Sequence, residues 1–233
     1  MKLEKITTKE ERRSRRHYDD ACATAHALDL VGERWALLVM RELMMGPKRF
    51  SDLRESLPGI SANVLTQRLE GLEAVGVLTR RKLPPPASAQ VYELTEWGYE
   101  SEPIFQALGR WAARSRLHDP TLPFSSASFL LSLRTMLDAE GAKGLDARIG
   151  FCLHDETFLA HLADGRIEIA RGPVEGADLV FTGTPPMLAG AIYGGRPLDA
   201  LESAGVVKVE GDRALAERFV GLFPLPPKAS HPA

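Results

Sequence analysis

The run Phe50-Ser51-Asp52-Leu53-Arg54-Glu55-Ser56-Leu57-Pro58-Gly59-Ile60-Ser61-Ala62-Asn63-Val64-Leu65-Thr66-Gln67-Arg68-Leu69 decides the fold. Phe50, Leu53 and Leu57 recur at spacings of three and four, which sets them on one face of a short helix. Pro58-Gly59 breaks it, because proline lacks a backbone donor and glycine accepts angles that other residues avoid. Ser61 is a natural N-cap. A second helix is predicted from about Ala62 to Val75, with Leu65, Leu69, Leu72 and Val75 as its apolar stripe and Val64 flanking. Its opposite face carries Asn63, Thr66, Gln67 and Glu70, side chains rich in donors and acceptors. After Gly76 come two strand-like runs, Val77–Leu83 and Gln90–Leu94, joined by Pro84-Pro85-Pro86-Ala87-Ser88-Ala89. Helix, sharp turn, helix and basic hairpin form the pattern of a winged helix-turn-helix, which lays its second helix in the major groove of DNA.

Upstream, residues 33–45 read as a helix with two apolar stripes, Trp35, Leu38, Val39 and Leu43 on one side and Leu37, Met40 and Met44 on the other. Such a helix must be covered on more than one side. Before it, Ala21–Val31 reads as a helix capped by Asp19 or Asp20, with Ala21, Ala25 and Leu28 as its buried stripe. Downstream, the segment beyond Thr95 forms a helix through Ile104, Leu108 and Trp111, which Pro103 either kinks or starts. Arg80, Arg81 and Lys82 stand in a row on the first wing strand and alternate faces. At least one of the three is therefore expected to be merely solvated.

The runs Leu28-Asp29-Leu30-Val31-Gly32-Glu33-Arg34-Trp35, Arg49-Phe50-Ser51-Asp52-Leu53, Leu65-Thr66-Gln67-Arg68-Leu69, Gly76-Val77-Leu78-Thr79-Arg80 and Tyr92-Glu93-Leu94-Thr95-Glu96-Trp97-Gly98 occur in that order. They resemble the HxlR-type transcriptional regulators over about residues 20–115. The resemblance implies a dimeric winged-helix protein that binds double-stranded DNA and regulates transcription, usually in answer to a chemical signal. In that family terminal helices like the one at 104–111 pack against a twin.

The whole chain, at 233 residues with 44% hydrophobic and 26% charged, has the composition of a soluble globular protein of one large or two ordinary domains. No apolar run reaches the ~18 residues that a membrane span needs, and Met1-Lys2-Leu3-Glu4-Lys5 does not open a secretory signal. Two cysteines argue against a disulfide framework and fit a reducing cytoplasm. Residues 1–118 hold 19 Lys/Arg against 16 Asp/Glu, and residues 119–233 hold 10 against 15. The halves thus differ in sign, although the first is only a weak electrostatic footprint for DNA. Residues 1–20 form a basic arm, with Lys9, Arg12, Arg13, Arg15 and Arg16 packed together. The arm either rests on phosphates or a minor groove, or is a solvated tail.

His118-Asp119-Pro120-Thr121-Leu122-Pro123 is a breaker-rich linker, which divides a DNA-binding and dimerisation domain at 21–117 from a second domain at 125–223. Phe129, Leu130, Leu133 and Leu137 mark an amphipathic helix; Arg148–His154, Thr157–Leu162, Arg166–Arg171, Ala177–Thr182 and Val206–Val209 read as strands. The fold class is α+β, with a winged helix-turn-helix followed by an α+β domain whose sheet is antiparallel. The segments Ala177–Thr184 and Gly205–Asp212, with the helix between them, resemble the sterol carrier protein 2-like fold. That resemblance implies an apolar groove for lipid-like ligands, for which Phe129, Phe151, Phe158, Phe181 and Tyr193 are candidate lining residues; plain core is the alternative. Residues 224–233 read as a disordered tail.

No phosphate loop, dinucleotide-binding glycine run or nucleophile elbow is present, and His154 and His161 do not fix a metal geometry, so neither catalysis nor a cofactor or metal is expected. Cys22 is the candidate redox sensor, because a helix start lowers a thiol pKa while Asp19 and Asp20 raise it. In HxlR-type proteins a cysteine at this place sometimes senses oxidants or electrophiles, but usually with Pro after it, where Ala23 stands here. A small buried residue is the alternative role. Asn63, Thr66 and Gln67 are the expected base readers, and Ser61, Arg68, Arg80, Arg81 and Lys82 the expected contacts to phosphates or the wing's groove. For Arg68, a structural salt bridge is the alternative. The expected function is a cytoplasmic, homodimeric DNA-binding regulator with an apolar small-molecule effector and no membrane partner. An apolar-ligand carrier and a protein-interaction module with a winged fold are the rival readings.

Overall fold

A computed structural model of the chain describes residues 17–85, 88–122 and 124–230. The cluster of basic residues between Lys9 and Arg16 lies outside the described residues. The first half comprises α1 (Ala23–Val31), α2 (Ala36–Leu43), α3 (Phe50–Ser56), α4 (Ala62–Ala74), β1 (Leu78–Lys82), β2 (Gln90–Leu94), α5 (Glu96–Tyr99) and α6 (Glu102–Ala113). Gly59 between α3 and α4 sits at φ +89, a backbone angle that side chains resist, so the sharp turn depends on it. Ser61 caps α4, its hydroxyl oxygen accepting the Val64 N–H at 3.3 Å. Leu53, Leu57, Leu65, Leu69 and Leu72 are buried together beneath the two helices.

The wing strands pair antiparallel from Leu78 opposite Leu94 to Lys82 opposite Gln90. An isolated antiparallel bridge at Lys48 joins them: the Lys48 N–H donates to the Tyr92 carbonyl at 3.0 Å and the Tyr92 N–H returns the bond at 2.9 Å. Pro103 lies in the first turn of α6, where its missing donor costs nothing, so it starts that helix rather than kinking it.

The second half comprises α7 (Ser126–Met136), β3 (Asp146–Leu153), β4 (Glu156–Ala163), β5 (Arg166–Arg171), β6 (Leu179–Gly183), α8 (Pro185–Ile192), α9 (Leu198–Ser203), β7 (Val207–Gly211) and α10 (Arg213–Val220). The sheet order is β5-β4-β3-β6-β7. Three pairings are antiparallel, while β6 runs parallel to β3. After β5 the chain crosses the sheet to reach the far side of β3. A side chain at Gly150 would meet Val174 of that crossover at 2.8 Å, so the close passage requires glycine.

The helix α7 is buried on several sides, with Ala127, Phe129, Leu130, Leu131, Leu133 and Met136 all enclosed. It packs on α2 and α6 of the first half and on β5 and α8 of the second. One apolar core therefore runs through both halves across the linker. The second stripe of α2, including Met40 and Met44, is buried within this chain rather than left for a twin.

Three expectations need correction. Helix α1 starts at Ala23 and buries none of its residues, so Ala21, Ala25 and Leu28 are no core stripe: among the described residues nothing encloses them. Residues 224–230 are not a detached tail. They return to the end of α6, where the Ala229 N–H donates to the Arg114 carbonyl at 2.9 Å and the Lys228 ammonium to the Ala113 and Ser115 carbonyls at 3.0 Å each. The Ala113 and Arg114 carbonyls are ones that a helix end leaves without partners, and a cation there also suits the helix dipole. The aromatic groove is the third. Phe129, Phe151, Phe158 and Phe181 are at most 1% exposed. Phe151 has Phe129, Phe181 and Phe219 around it at 6.0, 5.9 and 6.1 Å between ring centres. Tyr193 is half-buried, its hydroxyl paired with Ser132 at 2.7 Å, and burial pushes its phenol well above the usual range. These aromatics fill the space between sheet and helices.

Candidate nucleic-acid interface

The exposed face of α4 is built by helical spacing. Leu65, Leu69 and Leu72 turn inward, which leaves Asn63, Thr66, Gln67 and Glu70 in solvent on the far side. Asn63, Thr66 and Gln67 stand at i, i+3 and i+4, in the first half of the helix. Amide side chains there can pair two-pronged with adenine, and threonine can meet either edge of a base pair. Glu70 repels phosphates at the next turn, which confines close approach to the N-terminal two turns. A recognition helix contacts bases with that same end. With 13 residues, α4 is about 20 Å long, enough to lie along a groove.

The expected phosphate contacts divide. Ser61 is exposed at the head of α4, with its hydroxyl proton uncommitted to the cap. Arg68 is drawn to Glu33 at 2.9 Å with its side chain largely buried, which is the structural role rather than a phosphate contact. Arg80 pairs with Glu73 at 3.2 Å, and Arg81 pairs with Glu93 across the wing. Both arginines are well exposed, so these pairs hold them weakly and a phosphate can compete for them. Lys82 is exposed and has no ion-pair partner among the described residues.

Two basic residues were missed in the sequence. Arg49, at the head of α3, and Arg54, in its last turn, are exposed and make no side-chain ion pair among the described residues. The first helix of a helix-turn-helix crosses the phosphate backbone, which makes both candidates for it. Arg54 lies inside the decisive stretch and Arg49 directly before it, where the apolar spacing fixes the helix but gives no sign of which charges face DNA.

Behind the reading face lies a buried charge cluster. Glu42 of α2 is 0% exposed and Lys48 only 4%. The Glu42 carboxylate accepts from the Lys48 ammonium at 3.1 Å and from Arg41 at 2.7 Å, and Lys48 donates in turn to the Ser56 hydroxyl at 3.1 Å. The cluster thus ties α2 to the last residue of α3, while the Lys48 backbone holds the wing.

Over residues 30–119 the chain matches the HxlR-like helix-turn-helix family. It is 40% identical over 86 residues to the HTH-type transcriptional regulator YodB of Bacillus subtilis (strain 168), a match that covers 37% of this chain and 77% of that protein. The chain belongs to the HxlR-like helix-turn-helix family. This HxlR-like protein is accordingly a DNA-binding transcriptional regulator. Among solved structures, the reduced form of YodB from B. subtilis is 35% identical, with a TM-score of 0.38, over 43% of this chain and 100% of that chain. Residues 124–229 match the alkyl sulfatase C-terminal family, so the second half of the HxlR-like protein has a sterol carrier-like fold. The inverting sec-alkylsulfatase Pisa1 from Pseudomonas sp. is 25% identical, with a TM-score of 0.39, over 47% of this chain but only 17% of that one.

Cys22 is exposed in the single chain, so it is not part of this chain's own core. It occupies the N-cap position of α1, where the backbone N–H of Ala25, and then the backbone and side chain of Thr24, hold its thiol below the ordinary range. Asp20 turns to the Cys22 N–H at 2.9 Å. Among the described residues no helix is long and apolar enough to cross a membrane.

Proposed function

We propose that this HxlR-like regulator binds a pseudo-palindromic operator as a homodimer whose seam is made by α1 and α6. The supporting observation is that neither helix buries any of its residues. Leu28 is 48% exposed, and Ile104, Leu108 and Trp111, one face of α6, are 52%, 46% and 74% exposed. Four large apolar side chains in water are the mark of an interface. Two reading helices related by a two-fold axis then meet half-sites about 34 Å apart. Trp111→Glu is expected to leave the circular dichroism spectrum unchanged and to turn the dimer into a monomer at ~10 μM, since a charge buried in such a seam costs several kcal/mol. Sedimentation velocity reads this directly, and a dimer that persists in the variant refutes the seam.

Asn63, Thr66 and Gln67 read bases in this account, while Ser61, Arg49, Arg54, Arg80, Arg81 and Lys82 meet phosphates. Gln67→Ala is expected to cost ~1–3 kcal/mol at one base position and little on random DNA. Equal losses on selected and random duplexes would assign Gln67 to positioning instead.

The domain beginning near residue 125 carries regulation. The effector reading moves from the aromatics to an open trough of about 940 Å3 along the free edge of β5. Its walls come from both halves, with Glu102 and Gln106 of α6 facing Leu137, Ile167 and Ile169. Arg134 is paired with Glu102 at 2.7 Å, and Arg148 and Arg166 against Glu168 leave a small positive excess in the lining, which favours an amphipathic anion over a purely apolar ligand. The exposed, lowered thiol of Cys22 beside the seam supports a second, electrophile-sensing input. Acting on DNA, the protein works in the cytoplasm.

A further inference from the structure

We propose that Ser125, at the start of the C-terminal half, is a positioning residue for the DNA-reading head. Its hydroxyl meets the Glu42 carboxylate, the Ser128 backbone N–H and, at 3.2 Å, the Ser128 hydroxyl. The oxygen accepts the Ser128 N–H at 3.1 Å and closes the N-terminus of α7, while the proton goes to Glu42 Oε1 at 2.7 Å. That carboxylate is the fully buried one that binds Lys48, so a single charge connects four parts of the protein. They are α2, the end of α3 through Ser56, the wing through Tyr92, and the first turn of α7.

A hydrogen bond to a buried carboxylate is strong and its loss expensive, because water cannot replace the missing donor. The helix α7 therefore cannot slide or turn against α2 without carrying Glu42 along or stripping it of a donor. Either outcome disturbs Lys48, and with it both the helix-turn-helix and the wing. The two halves are coupled through a defined bond as well as through apolar contact. This inference rests on the DNA-binding reading and names the route by which the C-terminal half adjusts it.

Four variants of the full-length chain separate the two roles of Ser125. Ser125→Thr keeps cap and donor, and Ser125→Ala removes both. Ser125→Asp keeps the cap, aspartate being among the best N-caps, but offers Glu42 a second carboxylate in place of a donor. Ser125→Gly, tolerated at an N-cap, removes the donor without adding charge and serves should the aspartate variant not fold. Backbone hydrogen exchange without DNA is expected to rise about 5-fold or more in residues 48–57 and 90–94 of the aspartate and glycine variants, with the threonine variant unchanged. Exchange that rises only within residues 124–137 would reduce Ser125 to a helix cap and overturn the proposal. Binding is then measured on the duplex that the parent protein enriches from a randomised pool. The same two variants are expected to bind it about 5-fold or more weakly, and parent-like binding by both overturns the proposal. A parent protein that enriches no duplex contradicts the DNA-binding reading itself, and the exchange data then decide the role of Ser125 alone.

Discussion

Lys48→Met is expected to lower the unfolding free energy by about 3 kcal/mol, the low end of what breaking a buried ion pair costs. The cost arises on the other side of the pair. Glu42 is 0% exposed, so with the ammonium gone its charge keeps, among the described residues, Arg41 and Ser125. Those two remaining partners are the reason for choosing the low end. The double variant Glu42→Leu/Lys48→Met should recover most of the loss, since replacing a whole buried pair by apolar groups is often close to neutral. Urea unfolding of the three variants measures both quantities. A single-variant cost under about 1 kcal/mol would mean that water reaches the cluster, and the coupling assigned to it would fail.

Phe151→Ala is expected to cost about 3–5 kcal/mol, because the ring has Phe129, Phe181 and Phe219 packed around it and cannot be replaced by collapse. The result also discriminates between readings. A phenylalanine lining an open groove already faces a void, and its truncation costs far less than one that creates the void. A loss of only ~1 kcal/mol would restore the aromatic groove, and the effector site would return from the β5 edge to the middle of the domain.

Both substitutions bear on what a sequence can disclose. The helices of the reading head were legible because helical spacing is a local property: Leu65, Leu69 and Leu72 are buried and Asn63, Thr66 and Gln67 exposed, as the spacing requires. The wing and most strands were legible for the same reason. Strand direction was not, because a strand's alternation is identical in parallel and antiparallel pairing, and the parallel partner of β3 is set by where the crossover over Gly150 lands. The partners of the arginines were hidden too. Nothing within the neighbourhood of Arg68 announces Glu33, which approaches from the turn before α2. Leu28 reads as buried whether this chain covers it or another does, and Pro224–Ser230 has the composition of a tail although Lys228 has carbonyls to hold. Nothing local marks Glu42 or Lys48 as buried; Lys48 is enclosed by Glu42, Ser56 and the wing, and Glu42 is met by Ser125, which arrives from beyond the linker.

The claim at the centre of this account is that a dimer of this chain reads an operator through α4. Its most direct measurement is selection of duplexes from a randomised pool by the full-length protein, followed by titration of the enriched site across a salt series. The account predicts an inverted repeat with half-site centres about one helical turn apart, bound by two protomers, and an affinity that falls steeply with salt as the phosphate contacts are lost. A pool that stays unenriched at low salt, or a single half-site occupied by one protomer, would contradict it.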